Sequence, residues 1–388
     1  MRNLLTVLAL WAAGLGAAAQ FGKISVLYDT ILVARYGDHG NIALGLMVSV
    51  VGMVGLIFGT TAGILVARIG PRRAIVAALV LGAMVSFGQA VLPPYPLMMA
   101  LRVLEGVSHL AIVVVGPTAI AGVAGPRHLG AAMTLWSSFF GLTYAVLALV
   151  APPFVAAHGA GALFVAHGVW MAVLAVVLAR MMPPDPVVRR VAADGSLLQQ
   201  HRTIYASPFI AAPAMGFVCY TIIYVAVLTL MPPLFPDDLR ARVAAGMPII
   251  SIAVSLTLGV WLLGRVTPVQ LVQGGFVAAL AGLALFGAGI GNPLMMEAGA
   301  IVFAAALGLV QGASFAAIPF LNPAAQDRAR AAGAIAQLGN LGTTTGTPIL
   351  AAMLAALGPL AIVVFAAPFC VAGIVLHLWQ AARRVSRT

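Results

Sequence analysis

Charge is what this sequence lacks most. Only 7% of its 388 residues are charged, only nine are acidic, and one lysine, Lys23, stands among many arginines. A soluble domain carries about 25% charged residues, so a water-soluble fold is excluded. The two cysteines, Cys219 and Cys370, both lie in apolar runs, which excludes a disulfide framework. No HExxH, no GxSxG and no paired acids occur, and no Walker-type phosphate loop is present. A membrane enzyme and an ATP-driven pump are therefore disfavoured, and neither a metal nor a cofactor is expected. The formal charge is +11, yet the arginines sit between hydrophobic runs and form no basic face. Nucleic acid is not the expected partner.

Long apolar runs are what the chain has instead. Hydrophobic residues make up 62% of it, and the mean hydropathy is +1.09. A helical span needs about 20 such residues. The runs predict spans over 5–34, 42–67, 73–92, 96–123, 129–152, 161–182, 207–231, 243–264, 268–290, 294–321, 331–357 and 359–382. This is an all-α membrane protein with twelve transmembrane helices. Residues 1–20 imitate a signal peptide, with Arg2, an apolar core and Ala17 to Ala19. The apolar helix continues to about Ala34, so the reading here is a first span.

Arginine placement orients the spans. Arg2, Arg68, Arg72, Arg73, Arg127, Arg180, Arg189, Arg190, Arg202, Arg265, Arg328, Arg330, Arg383, Arg384 and Arg387 fall on one side, and only Arg35, Arg240 and Arg242 on the other. The basic side is cytoplasmic by the positive-inside rule, which puts both termini in the cytoplasm. The longest polar stretch, 183–206, reads as a cytoplasmic linker between bundles 1–182 and 207–388.

The two halves repeat. Leu104-Glu105-Gly106-Val107-Ser108 aligns with Val310-Gln311-Gly312-Ala313-Ser314, and Pro117 then matches Pro323 without a gap. Arg68 and Pro71 match Arg265 and Pro268, and Arg127 and Gly130 match Arg330 and Gly333. Several matches in the same order imply two pseudo-symmetric six-helix bundles, as in secondary transporters.

With these features the chain resembles the major facilitator superfamily over essentially its whole length. The most specific local match is Gly63-Ile-Leu-Val-Ala-Arg68-Ile-Gly70-Pro-Arg72-Arg73 between the second and third spans. The resemblance implies a gating loop built on Gly63, Arg68, Gly70, Arg72 and Arg73. One position departs from the signature: the acid expected before the first arginine is Ala67. Span 5 also lacks the Gly-Pro motif of drug/proton antiporters. Within the superfamily the chain looks most similar to small-anion carriers of the cyanate-transporter type. The resemblance implies a central cavity lined by spans 1, 4, 7 and 10.

The expensive residues fall on those spans. A charge at the bilayer centre costs about 3 kcal/mol on insertion scales, so such residues face partners or cavities. Arg102, Glu105 and His109 follow i, i+3, i+7 spacing and share one face of span 4. Lys23 of span 1 lies at a comparable depth, with Gln20 three residues below it and Asp29 nearer the outer surface. Two readings stay open. One is an ion-pair network that only holds spans 1 and 4 together. The other is an anion site, with Lys23 and Arg102 binding a carboxylate-like group.

In the second reading Glu105 is the expected proton carrier, with His109 and Asp29 as further candidates. Tyr220, Tyr224, Gln311 and Ser314 would supply aromatic and neutral hydrogen-bonding contacts from the other half. The expected function is alternating-access transport of a small organic anion, in symport with a proton, by a monomer in a bacterial inner membrane. The runner-up is a proton-coupled exporter of lipophilic or cationic compounds. A non-transporting receptor on the same fold is a third class.

Overall fold

The computed structural model describes residues 2–124, 132, 135–136, 138–185 and 196–386. Arg127, Gly130, Arg189, Arg190, Asp194 and Arg387 lie outside the described residues, as does the side chain of Arg68. The helices are α1 (Arg2–Ser25), α2 (Asn41–Ser49), α3 (Val51–Ile69), α4 (Pro71–Gln89), α5 (Tyr95–Ala124), α6 (Phe139–His158) and α7 (Ala160–Met181). They continue with α8 (Leu197–Ala206), α9 (Ala212–Leu230), α10 (Asp237–Val254), α11 (Pro268–Ala288), α12 (Pro293–Leu321), α13 (Ala325–Leu357) and α14 (Leu360–Val385).

Among the described residues, ten helices are long and apolar enough to cross a membrane, or eleven if the bent pair α2–α3 is one span. The remaining helix of the expected twelve is α13. It is 33 residues long, but Asp327, Arg328 and Arg330 in its first turns and its Thr343–Thr345 run make it less apolar. The helices are apolar on most faces, as expected where one side meets protein and the other meets lipid.

Two predicted spans are interrupted. Span 1 does not run unbroken to residue 34. The helix ends at Ser25, and a π-helical turn, Tyr28–Leu32, follows. Ser25 Oγ donates to Phe21 O at 3.1 Å, a local competitor for the helix ladder. Span 2 bends by 57° at Val50. Just before the bend, Ser49 Oγ bonds back to Gly45 O at 3.1 Å and also reaches Thr344 O at 2.7 Å. A serine drawn to a second acceptor is a recognised cause of a kink.

Two compact units emerge. One comprises Met1–Asp38 and Val50–Ala193, the other His39–Ser49 and Asp194–Thr388. The sequence boundaries placed 39–49 with the first bundle; here α2 groups with the second, because Gly45 lets it lie directly on the backbone of Pro348 in α13. The stretch 183–206, expected to be only a linker, forms helix α8 over its last turns, capped by Ser196 on Gln199 N at 3.3 Å.

In the first unit, α1 packs against α5, α6 and α7, and α4 against α5 and α7. Leu10, Ile75, Leu79, Ile112, Val115, Met171 and Leu178 form its buried apolar core. In the second unit, α11 packs on α12 and α14, and α9 on α13 and α14.

The α11–α12 contact depends on small residues. A Cβ at Gly282 would lie 2.5 Å from Phe303 N and 2.8 Å from its Cα, whereas one at Gly274 would meet nothing within 4 Å. Gly282→Ala is expected to destabilise the protein by about 1–3 kcal/mol through overpacking. Gly274→Ala on the same helix is expected to leave the thermal midpoint in place. Thermal unfolding of the two purified variants checks the pair.

Candidate functional site

The first unit holds a buried polar cluster where α1, α4, α5 and α7 meet. Lys23 enters it from the last turn of α1, and Arg102 and Glu105 from α5. Ser86 and Gln89 come from the last turns of α4, and His167 from α7. Gln20, Lys23, Ser86, Gln89, Arg102, Glu105 and Ser108 are each 0% exposed. The sequence spacing brings Arg102 and Glu105 onto one face, and the packing of α1 against α5 brings Lys23 to them.

Glu105 is the shared partner of both cations. Lys23 Nζ lies 2.6 Å from Oε1, while the Arg102 guanidinium donates to Oε2. Gln89 Nε2 donates to the same Oε2 at 2.9 Å. Everything around the carboxylate is therefore a donor, the environment of an ionised group. Arg102 Nη1 also donates to the main-chain oxygen of Gln20 at 2.5 Å. Gln20 Nε2 donates to Ser108 Oγ at 3.0 Å, and Ser108 Oγ to Ala78 O at 2.7 Å.

Lys23 has three acceptors. Besides Glu105 they are Ser86 Oγ at 2.9 Å and His167 Nδ1 at 3.2 Å. The ammonium also lies 5.1 Å from the Phe164 ring centroid, within cation–π range.

Magnitudes decide what this cluster contributes. Opposite charges 2.6 Å apart attract by roughly 6 kcal/mol at an effective dielectric of about 20. Desolvation costs several kcal/mol per ion, so a complete pair adds little net stability. The expensive state is an incomplete one. With Lys23 and Arg102 positive, Glu105 negative and the two histidines neutral, the described residues of the cluster sum to one positive charge.

The remaining predicted residues are placed as follows. His109 shares the Arg102–Glu105 face, but its Nδ1 donates to Ala17 O at 3.0 Å and its ring packs edge-on to Phe21 at 5.1 Å. Asp29 sits on the π-helical turn, partly exposed, and the ion pairs described for Lys23 and Arg102 both go to Glu105. The interruption after Ser25 takes Asp29 out of the helical register that the sequence assumed.

In the second unit, Tyr220 stacks on Phe217 at 5.3 Å and on Tyr224 at 4.9 Å, and Phe315 meets Phe217 edge-on at 5.3 Å. The Tyr220 hydroxyl is buried without a hydrogen-bond partner. Ser314, expected to contact substrate, gives its hydroxyl hydrogen to Val310 O at 2.7 Å in its own helix. Gln311 is partly exposed on α12.

Sequence reasoning missed Ser86, Gln89 and His167. The signal was present: apart from terminal arginines, they are the conspicuous polar side chains within the apolar runs 73–92 and 161–182.

The gating-loop residues form a second arrangement in this unit. Gly63 and Arg68 lie on α3, Gly70 links it to α4, and Arg72 and Arg73 open α4. Asp185, just past α7, accepts from Arg72 N at 2.8 Å and Arg73 N at 3.0 Å, capping α4. Arg72 Nε donates to Ala179 O at 3.0 Å. Gly70, at φ +97°, is closed over by the Asp185 carboxyl, which leaves no room for a Cβ. The loop that lacks an acid at Ala67 thus receives one from a different helix.

The family model of the Major Facilitator Superfamily matches residues 6–346. No curated protein matches the sequence. A D-xylose–proton symporter superposes with a TM-score of 0.75 at 16% identity, covering 97% of this chain and 96% of that one. A bacterial homologue of the human lysosomal transporter Spinster, inward-facing and occupied, gives 0.69 at 14% identity, covering 98% and 96%. The E. coli fucose:proton symporter gives 0.66 at 14% identity, covering 98% and 99%. At these identities the likeness is one of fold.

Two outcomes are expected from the site. Glu105→Gln leaves two buried cations without their carboxylate and is expected to cost about 3–5 kcal/mol. Adding Lys23→Met to it should recover part of that loss, a coupling that a double-mutant cycle of thermal stabilities measures. Asp185→Ala should cost about 1 kcal/mol, the value of a lost helix cap. It should also make the 70–73 segment more open to protease.

Proposed function

The chain belongs to the major facilitator superfamily, a family of secondary transporters, and on that premise we propose that it moves a small, carboxylate-like organic anion in symport with a proton. The observation that carries this reading is the sharing of one carboxylate by two wholly buried cations, Lys23 and Arg102. The cluster is one negative charge short. A substrate carboxylate supplies it. Arg102 can hold such a group through paired N–H donors, and Lys23 acts as a point charge.

Coupling belongs to the same cluster. An incoming anion competes with Glu105 for the cations, and a cation that turns to the substrate leaves a base behind. Lys23 contacts two such bases, Glu105 and His167. Fucose–proton and xylose–proton symporters share the fold, which supports proton-driven uptake as a mode of this architecture. Tyr220 and Tyr224, with Gln311, would add aromatic and neutral contacts to the substrate body. A monomer in a bacterial inner membrane with cytoplasmic termini completes the proposal, supported by the one-sided arginines.

The competing reading is a proton-coupled exporter of lipophilic or cationic compounds. It would need Glu105 free to meet a cation, and Glu105 already has Lys23 and Arg102 on it.

Ligand-induced thermal stabilisation separates the two. A binder of the native state raises the unfolding midpoint by mass action, about 2.7 kcal/mol at a hundredfold excess over Kd. Small carboxylates are expected to stabilise the wild type and to lose that effect in Lys23→Ala and Arg102→Ala. Stabilisation by lipophilic cations alone would overturn the anion reading.

A further inference from the structure

The charge cluster contains a histidine that anion binding does not use. Hydrogen positions around His167 follow from donor and acceptor accounting. Its Nε2 lies 3.0 Å from Gly16 O, which can only accept, so Nε2 carries a hydrogen. Ser86 Oγ gives its one hydrogen to Phe164 O at 2.8 Å and accepts from Lys23 at 2.9 Å, so its 2.9 Å contact with His167 Nδ1 holds no hydrogen until Nδ1 gains one. The three ammonium hydrogens of Lys23 have three acceptors: Glu105 Oε1, Ser86 Oγ and His167 Nδ1. The ring is neutral in this arrangement, with a bare Nδ1 accepting from Lys23.

A second ring proton would have to sit on Nδ1. It would enter the 3.2 Å gap already holding an ammonium hydrogen. The two protons exclude each other, and an imidazolium there would stand beside a second cation. Once Lys23 turns away, the situation reverses, because Ser86 Oγ is already at hydrogen-bond distance to receive an Nδ1–H.

We propose that His167 takes the coupled proton at Nδ1 when a bound anion draws the Lys23 ammonium away from it. This inference rests on the anion-symport reading and names the base within it. The step balances. One proton from water forms the Nδ1–H bond, the substrate carboxylate stays ionised, and the proton returns to water when the anion leaves and Lys23 swings back. The anion neutralises the surplus charge left by Lys23 and Arg102, and the proton then places one positive charge on His167, so loading adds no net charge.

Glu105 is less suited to this step, since Arg102 and Gln89 still donate to its Oε2 after Lys23 leaves. The groups facing His167 are Lys23 from α1, Ser86 from α4, and Arg102 and Glu105 from α5. α6 also packs on α7; its Tyr144 hydroxyl meets Ser25 and its His158 packs on Phe154. Arg180 lies at the far end of α7 itself.

Histidine-selective 15N NMR on the full-length protein in lipid nanodiscs tests the exclusion without any substrate. The His167 signal is assigned by its loss in His167→Gln. The wild type should show the Nε2–H tautomer, and Lys23→Met should raise the proton affinity of His167 by about tenfold or more. Identical titration in the two proteins would overturn the proposal.

Proton uptake on binding then tests the coupling, with lactate, acetate and benzoate as probes in weakly buffered solution. The wild type should take up about one proton per anion bound, since Nδ1 is the one vacant ring position. His167→Gln should bind the anion and lose the uptake. Binding with uptake intact in His167→Gln would overturn the role of His167 and leave the anion reading standing. A wild type that binds none of the three would overturn the anion reading itself, while the NMR comparison still reports on the Lys23–His167 exclusion.

Discussion

One carboxylate holding two cations in a buried interior is the constraint on which the first unit depends. Glu105 can neutralise only one of Lys23 and Arg102. The surplus charge is tolerated because every hydrogen on Lys23 has an acceptor and because Arg102 also reaches a main-chain oxygen. That requirement ties α1, α4, α5 and α7 to one point. A structural ion pair of the usual kind would be neutral, and hydrophobic residues of similar volume would serve stability as well. Here the described residues carry a net positive charge, and the Gln20 and Gln89 side-chain oxygens are buried without a hydrogen-bond partner.

The same arrangement explains how binding and protonation would be linked without a long pathway. Lys23 is a flexible stem with three donors. Moving it toward a substrate changes the surroundings of Glu105 and His167 at once. Asp185 illustrates a parallel economy on the loop between α3 and α4. Its carboxylate caps α4 and fills the space over Gly70, so the segment after α7 is fastened to the loop between α3 and α4.

Much of this was legible in the sequence. Hydropathy and arginine placement revealed the spans, and the Leu104–Ser108 and Val310–Ser314 repeat revealed two similar halves. The i, i+3 spacing of Arg102 and Glu105 predicted their shared face, and depth counting brought Lys23 beside them. The failures have physical causes. Asp29 was placed by extending one helix through Ser25, where a side-chain hydrogen bond and a π-helical turn change the register. Ser314 was expected to offer a neutral hydrogen bond to substrate; its hydroxyl hydrogen goes to its own backbone, as is common for a serine in an apolar helix, which leaves its lone pairs to accept. His167 and Ser86 were passed over because a lone polar residue in an apolar run acquires meaning only through neighbours on other helices. The capping role of Asp185 was hidden for the same reason, since more than a hundred residues separate it from Arg72.

The central claim is that a net-positive, buried cluster carries a small organic anion together with a proton. The most direct measurement is the internal pH of proteoliposomes after external addition of a small, membrane-impermeant organic anion, against protein-free vesicles. Acidification of the lumen that requires the protein, is lost in Lys23→Ala and is insensitive to membrane potential is the expected result. No pH change with any such anion, alongside movement of lipophilic cations, would contradict it.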